Sequence, residues 1–492
     1  MLKKWLLFIF LMLPVLLTAA TVEIYHTSDI HGFYFPQQLN GKQKGGFALL
    51  QGYLNEQKKP YLLLDGGDFT SGTYEAKQTG GNLSILFMNE LNYNAGTIGN
   101  HEIDFGKDNL LNNMHTAKFD LLAANMFDTN TGSLMKGVKS FKVYKINGKR
   151  IGIIGLAKAF SPNADGIRIS EDKTALKKAL TEIKQQKPDA IILLTHSSIN
   201  DDKHEDNKSN YNLVKDLQGI NVVLGGHAHK IFQNIYNDDG ILFVESGTAL
   251  TQLSHITLDF DDTTGKLKSA KSELVELTVD KYTPDPKITA FAEEHRDKKM
   301  DIVIGKSNEL ITHYAPKDGS FIDAPLSNLI ADLMKNYTHA EIGMQNTGGT
   351  RENLFAGDVT NRTIYSILPF SNTVCNVQVT GKFIKKLLYR SLKEKRSLFE
   401  FSGLDIKYRY KHNRPELLSV KVNGKELEPY KTYTLAANEY IAGGGSEGFM
   451  FKKLKQKPVC YDKTLTDLLA DYLKANPQGI ENPANGRIIK VD

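Results

Sequence analysis

Five separated segments of this 492-residue chain offer side chains of the kinds that hold divalent cations. Asp29 and His31 stand in Thr-Ser-Asp-Ile-His-Gly, Asp68 in Asp-Gly-Gly-Asp, Asn100 and His101 in Gly-Asn-His-Glu, His196 in Thr-His-Ser, and His227 and His229 in Gly-Gly-His-Ala-His. Carboxylates suit hard divalent ions, and neutral imidazoles suit zinc, manganese or iron. A mixed set points to a two-metal hydrolytic site, where water on a cation loses its proton near neutral pH. Asp68 is the natural bridge, because a carboxylate between two cations about 4 Å apart reduces their repulsion. Single histidines such as His26, His115, His313 and His339 lack such company and read as surface or core residues. An isolated Gly-Asp or Asn-His pair would read as a turn. Five in order, each behind an apolar run, read as a site.

The elements that must position these residues are the runs themselves. Strands are expected at residues 22–26, 61–64, 95–98, 151–156, 190–194, 222–224 and 242–245, separated by longer mixed segments. That alternation predicts an α/β layered domain over residues 21–280. In such sheets, loops beyond the strand carboxyl ends are where ligands bind, so residues distant in sequence converge there. Residues 281–300 are polar, carry Pro284 and Pro286, and continue into a helical pattern at 288–299, which predicts a linker ending in a hinge helix. Residues 301–492 mix helical patterns at 326–337, 383–394 and 465–475 with strand-like segments such as 374–379, giving a second, α+β domain. No short-period repeat marks a solenoid.

Lys3 and Lys4 precede an apolar run at residues 5–17, followed by Thr18, Ala19 and Ala20, which reads as an export signal over residues 1–20. The run is short and broken by Pro14, so no stable membrane span is expected after cleavage, and the product is expected in the periplasm or secreted. The net charge of +5 falls to +3 without the two leader lysines, which does not point to a nucleic-acid polymer as partner. Cys375 and Cys460 are the only cysteines, and in an oxidising compartment they are free to pair if the fold brings them together. The sequence leaves that, and the oligomeric state, open.

Taken in order, Asp-Ile-His, Gly-Asp-Phe, Gly-Asn-His-Glu, Thr-His-Ser and Gly-Gly-His-Ala-His resemble the motifs of the calcineurin-like metallophosphoesterases. Asn-Thr-Gly-Gly-Thr-Arg at residues 346–351, Leu-Pro-Phe-Ser-Asn at 368–372 and the Gly-rich turn after Tyr440 resemble the C-terminal domain of the 5′-nucleotidase family. The resemblance implies a four-layer α/β/β/α metallophosphoesterase domain followed by a smaller substrate-binding domain, with a helical linker about which the domains rotate. It implies two divalent metal ions such as zinc, manganese or cobalt, one held by Asp29, His31, Asp68 and His229 and the other by Asp68, Asn100, His196 and His227. His101 and Asp104 match the catalytic dyad, and their spacing of three at a helix start would let the carboxylate orient the imidazole. Asn346 and Arg351 match phosphate or substrate contacts, since a guanidinium offers forked donors to oxyanions. Phe370 and Tyr440 match the aromatics that sandwich the base, and Asn372 and Gly403 match residues near the nucleoside. The implied activity is phosphate release from small nucleotides, extending to nucleoside di- and triphosphates, UDP-sugars or 2′,3′-cyclic nucleotides.

Two departures bear on selectivity. Arginines expected shortly before the helix at 326 are absent from residues 320–325, and the Gly-Gly-Asp-Gly turn is altered at residues 443–449, with Ser446 and Glu447 in place of one aspartate. His229 stands where some relatives carry glutamine. Gly443, Gly445 and Gly448 spell G-x-G-x-x-G, yet the basic stretch that follows has no helical stripe, so no dinucleotide fingerprint is read there. A thiosulfohydrolase on the same two-domain pattern is one competing reading, against which Phe370 and Arg351 weigh. A non-catalytic surface module that binds nucleotides is another, against which Asp68, Asn100, His101 and Asp104 weigh.

Overall fold

The computed structural model describes residues 21–39, 42–158, 166–199, 210–315, 323–393, 398–483 and 486–491. The expected export signal, residues 320–322 and the side chains of Ser446 and Glu447 lie outside these.

Two sheets stack in the first part. One runs in the order Leu267–Glu276, Gln252–Phe260, Thr21–Thr27, Tyr61–Asp65, Ala95–Gly96, Asp120–Leu122, Val138–Lys139; the other Ile231–Tyr236, Leu242–Ser246, Val222–Gly225, Ala190–Thr195, Lys149–Leu156, Phe141–Ile146. The ligand-bearing strands pair in parallel, so their carboxyl ends share one edge of each sheet. Both faces of these strands are covered, which is why they read as near-continuous apolar runs. Val22, Ile24, Leu62, Ile192, Leu194 and Leu224 fill the space between the sheets. Tyr25 and Leu63 face the helices Phe47–Asn55, Asn82–Glu90 and Lys107–Thr116 on one outer side. Ile191, Leu193 and Val223 face Asp172–Lys184 on the other, completing the α/β/β/α stack.

The helix read at 288–299 is divided. Pro286–Glu294 is α-helical, capped by the Asp285 side chain on Ile288 N, and Lys298–Asp301 is a separate 3-10 turn. The Asp297 carboxylate accepts from Lys299 N, a local bond that favours the new turn over continued helix. Strand 95–98 is likewise shorter, Ala95–Gly96, the Thr97 hydroxyl bonding instead to Leu122 O and Leu156 O.

The second part is built on a five-stranded sheet ordered Phe399–Ser402, Ile342–Asn346, Thr432–Asn438, Thr373–Thr380, Val459–Thr464. Gly381–Lys393 and a four-stranded sheet cover one face, while Pro325–Thr338, Asn361–Ile367 and Leu465–Ala475 cover the other. Cys375 and Cys460 stand opposite each other on adjacent strands and form a disulfide. No helix among the described residues is long and apolar enough to cross a membrane.

Candidate active site

Five of the candidate ligands take left-handed backbone conformations: Asp29 (φ 52°), His31 (50°), Asp68 (58°), His227 (76°) and His229 (55°). Aspartate and histidine tolerate that region better than most residues, but it still stores strain, and such strain clusters at functional sites. The loops hold one another in place. Asp29 N donates to Gly67 O (2.9 Å), His31 N to Asp68 O (2.9 Å), and Ala249 N and Thr248 Oγ1 both donate to Asp29 O. Glu102 ties the second loop to the third: its buried carboxylate accepts from Asp68 N (3.0 Å), Phe69 N (2.8 Å), Thr70 N (3.2 Å) and Gly99 N (2.6 Å). Gly99 has to be glycine, because a Cβ there would lie 2.1 Å from Asp68 Oδ1.

The side chains gather into two groups, Asp29 with His31 and His229, and Asp68 with His196 and His227, each with ligand atoms within 4.8 Å of one another. His31 Nδ1 donates to Ser71 O (2.9 Å) and His196 Nδ1 to Gly66 O (2.7 Å), which turns Nε2 of each ring into the site. His31 Nε2 lies 3.1 Å from His229 Nε2, and His229 Nε2 lies 3.5 Å from Asp29 Oδ1. Asn100 Oδ1 is buried with no hydrogen-bond partner, an arrangement that a buried carbonyl oxygen tolerates poorly unless it has a cation to bind. Burial pushes the Asp29 carboxyl up to about 6 and the His31 ring down to about 3, and it holds His227 and His229 well below the usual imidazole range. Burial also opposes charge on Asp68 and His196, but the 2.8 Å approach of Nε2 to Oδ2 outweighs it, holding the Asp68 carboxyl down and pushing His196 up to about 10. Two buried carboxylates therefore demand positive charge, amid bare imidazole nitrogens. Such a donor set fits divalent metal ions.

His101 Nδ1 donates to Asp104 Oδ2 (2.7 Å), which also accepts from Ser71 Oγ (2.8 Å), while His101 N donates to Asp68 Oδ1 (2.8 Å). The dyad sits on a turn, not on the helix start read from its spacing; the helix begins only at Lys107. Burial lowers the affinity of His101 for a proton, and the Asp68 and Asp104 carboxylates outweigh that, so its pKa is raised.

An open cleft leads to this group, lined by His31, Ser71, His101 and His229 from the first part and by Arg351, Glu352, Ser366 and Phe370 from the second. Arg351 Nη2 stands 3.5 Å from His31 Nε2, and the Phe370 ring stacks on His101 with centroids 6.1 Å apart. The other expected substrate contacts lie outside this lining. Asn346 is buried, its Oδ1 accepting from Asn438 Nδ2 (2.7 Å); Asn372 O accepts from Leu465 N; Gly403 (φ 75°) precedes Leu404–Lys411. Tyr440 is exposed in the short helix Glu439–Ala442. Thr373 Oγ1 donates to Glu439 Oε2 (2.8 Å), tying the Phe370 segment to the Tyr440 segment. The sequence reading gave Glu102 and Glu352 no role. Glu102 belongs to the Gly-Asn-His-Glu segment, but a carboxylate that binds backbone looks in sequence like any surface acid.

The calcineurin-like phosphoesterase profile matches residues 22–231, and the 5′-nucleotidase C-terminal domain profile matches residues 303–455. The NAD 5′-nucleotidase of Haemophilus influenzae is 25% identical over 538 residues, covering 89% of this chain and 87% of that protein. Among solved structures, the 5′-nucleotidase precursor from Thermus thermophilus superposes with a TM-score of 0.83 at 24% identity, covering 96% of this chain and 99% of that one. The sulfate thiohydrolase SoxB from Thermus thermophilus superposes at 0.79 with 15% identity, covering 96% of each chain. At these identities the superpositions carry the fold alone.

Proposed function

The chain belongs to the two-domain 5′-nucleotidase family of metallophosphoesterases, and we propose that it is an exported nucleotidase whose site holds two divalent ions. It is a metal-dependent phosphoric monoester hydrolase acting on nucleotides. The observation that carries the two-ion reading is the pair of ligand groups, with Asp68 set between His31 and His196 at 4.0 and 2.8 Å. One ion is assigned to Asp29, His31, Asp68 and His229, and the other to Asp68, Asn100, His196 and His227. When bound, such ions polarise the phosphoryl oxygens and supply an activated water.

The chain's own residues do the rest. Arg351 presents forked donors to the phosphate at the mouth of the cleft. His101, whose protonated form Asp68 and Asp104 favour, offers a proton to charge developing on the phosphoryl group. Phe370, 37% exposed where most phenylalanines are buried, receives the base, with Tyr440 on the adjoining segment as its second wall. Asn346 supports the Tyr440 segment through Asn438, and Asn372 and Gly403 are assigned to the surroundings of the nucleoside. The thiohydrolase likeness is one of fold and carries no chemistry to this chain. Phosphate release from the metal-reconstituted protein across AMP, ADP, ATP, NAD, UDP-glucose, a cyclic nucleotide and an aryl phosphate tests the reading. Nucleotides should be turned over faster than the aryl phosphate. Release from the aryl phosphate alone would remove the nucleotide assignment and leave the hydrolase.

A further inference from the structure

The helix Gly381–Lys393 sinks Ile384, Leu387, Leu388 and Leu392 into the core of the second domain. Its opposite stripe is Lys382, Lys385, Lys386, Tyr389 and Lys393, all exposed. The start of the segment 449–457 packs against the same helix, the Phe383 and Phe451 rings 5.1 Å apart and the Arg390 guanidinium 4.3 Å above the Phe449 ring. That segment adds Lys452, Lys453, Lys455 and Lys457, also exposed. Among the described residues none of these eight lysines forms an ion pair, whereas Lys42, Lys59, Lys287 and Lys463 each meet a carboxylate elsewhere on the molecule.

The chain as a whole carries only +5, so this face holds more positive charge than the entire protein and the remainder is net acidic. Like charges three and four apart on one helix repel, and a surface that served solubility alone would mix its signs. Folding does not account for the face.

We propose that this face docks on an anionic lipid bilayer. Lysines are point charges without the forked geometry that selects one oxyanion, so together they suit a surface of many dispersed phosphodiester headgroups. Phe449 and Tyr389, 43% and 44% exposed, are placed to rest at headgroup level. The apolar stripe of the helix is already buried, so the contact is adsorption through charge and not insertion. A single nucleic-acid strand fits less well, because Arg390 already takes one face of the Phe449 ring and leaves only the other to stack a base.

Co-sedimentation of the full chain with vesicles tests this. Vesicles containing about a third phosphatidylglycerol should pull the protein down, pure phosphatidylcholine vesicles should not, and raising salt from about 0.05 to about 0.3 M should release it. The quadruple variant K385E/K386E/K453E/K455E should lose about tenfold or more of this binding with aryl phosphate hydrolysis and melting temperature unchanged. Should that variant not fold, K453E/K455E alone should lose a smaller part of it. Absence of binding to the anionic vesicles, equal binding to neutral ones, or equal binding by the variants would overturn the proposal. So would retention of a single-stranded oligonucleotide at concentrations where the vesicles are not bound.

Discussion

His101 shows how much of the site turns on single hydrogen bonds. Its Nδ1 proton is committed to Asp104, its backbone N–H to Asp68, and only Nε2 is left to act. Removing the ring therefore takes away an acid without taking away a ligand. His101→Ala is expected to lower kcat by about 10² to 10⁴ with metal content intact, as assayed by elemental analysis beside steady-state kinetics. Loss of an ion from that variant would move His101 into the coordination sphere. Phe370 acts beside it, its part-exposed ring stacked on that of His101. Phe370→Ala should cost about 1 to 3 kcal/mol in kcat/KM for AMP while leaving an aryl phosphate nearly unaffected. Equal losses on both substrates, with a lowered Tm, would make the ring a packing element.

Strands carry the site because each ligand follows an apolar run, and that coupling is what made the site legible. A run of Ala190–Thr195 ending in His196, or of Val222–Gly225 ending in His227, declares both the element and the residue it presents. Whatever depends on which elements become neighbours was not legible. The turn geometry of the dyad, the break of the hinge helix at His295 and the four backbone donors on Glu102 arise from contacts that no local pattern encodes. Tyr440 matched its motif, yet its exposed place outside the cleft lining is a property of the fold. The pairing of Cys375 with Cys460 belongs here too, since it needs two strands 85 residues apart to lie in register. Closing a loop of that length restricts the unfolded chain, by about 4 to 5 kcal/mol in the chain-entropy account. Cys375→Ala with Cys460→Ala should therefore lower the Tm of the second domain by several degrees in calorimetry, with reductant having the same effect on the native protein. A shift of under about a degree would show that the unfolded state is already compact.

On the scale of the molecule, the cleft exists only because the two domains meet. Arg362 of the second domain donates to Glu75 of the first (2.5 Å) and to Asp301 at the end of the 3-10 turn (2.8 Å), and Arg296 of the linker grips the same Asp301 (2.6 Å). Both guanidinium groups lie against the Phe35 ring, 5.0 and 4.7 Å from its centroid. Glu75 is only 3% exposed, so Arg362→Ala leaves a buried charge unpaired, a loss of about 3 to 5 kcal/mol that the molecule escapes by parting the domains. A larger radius of gyration by solution scattering, with a fall in kcat/KM for AMP, is the expected outcome. An unchanged radius and rate would place the cluster outside the control of domain position. The central claim, nucleotide hydrolysis at a two-ion site bridged by Asp68, is met most directly by titrating metal-free protein with a divalent ion while following phosphate release from AMP. The activity should rise to a plateau at two ions per chain, and Asp68→Asn should stay below about a hundredth of it throughout, since supplying that clamp is worth several kcal/mol. A plateau at one ion, or an Asp68→Asn variant that reaches the wild-type plateau, would contradict it.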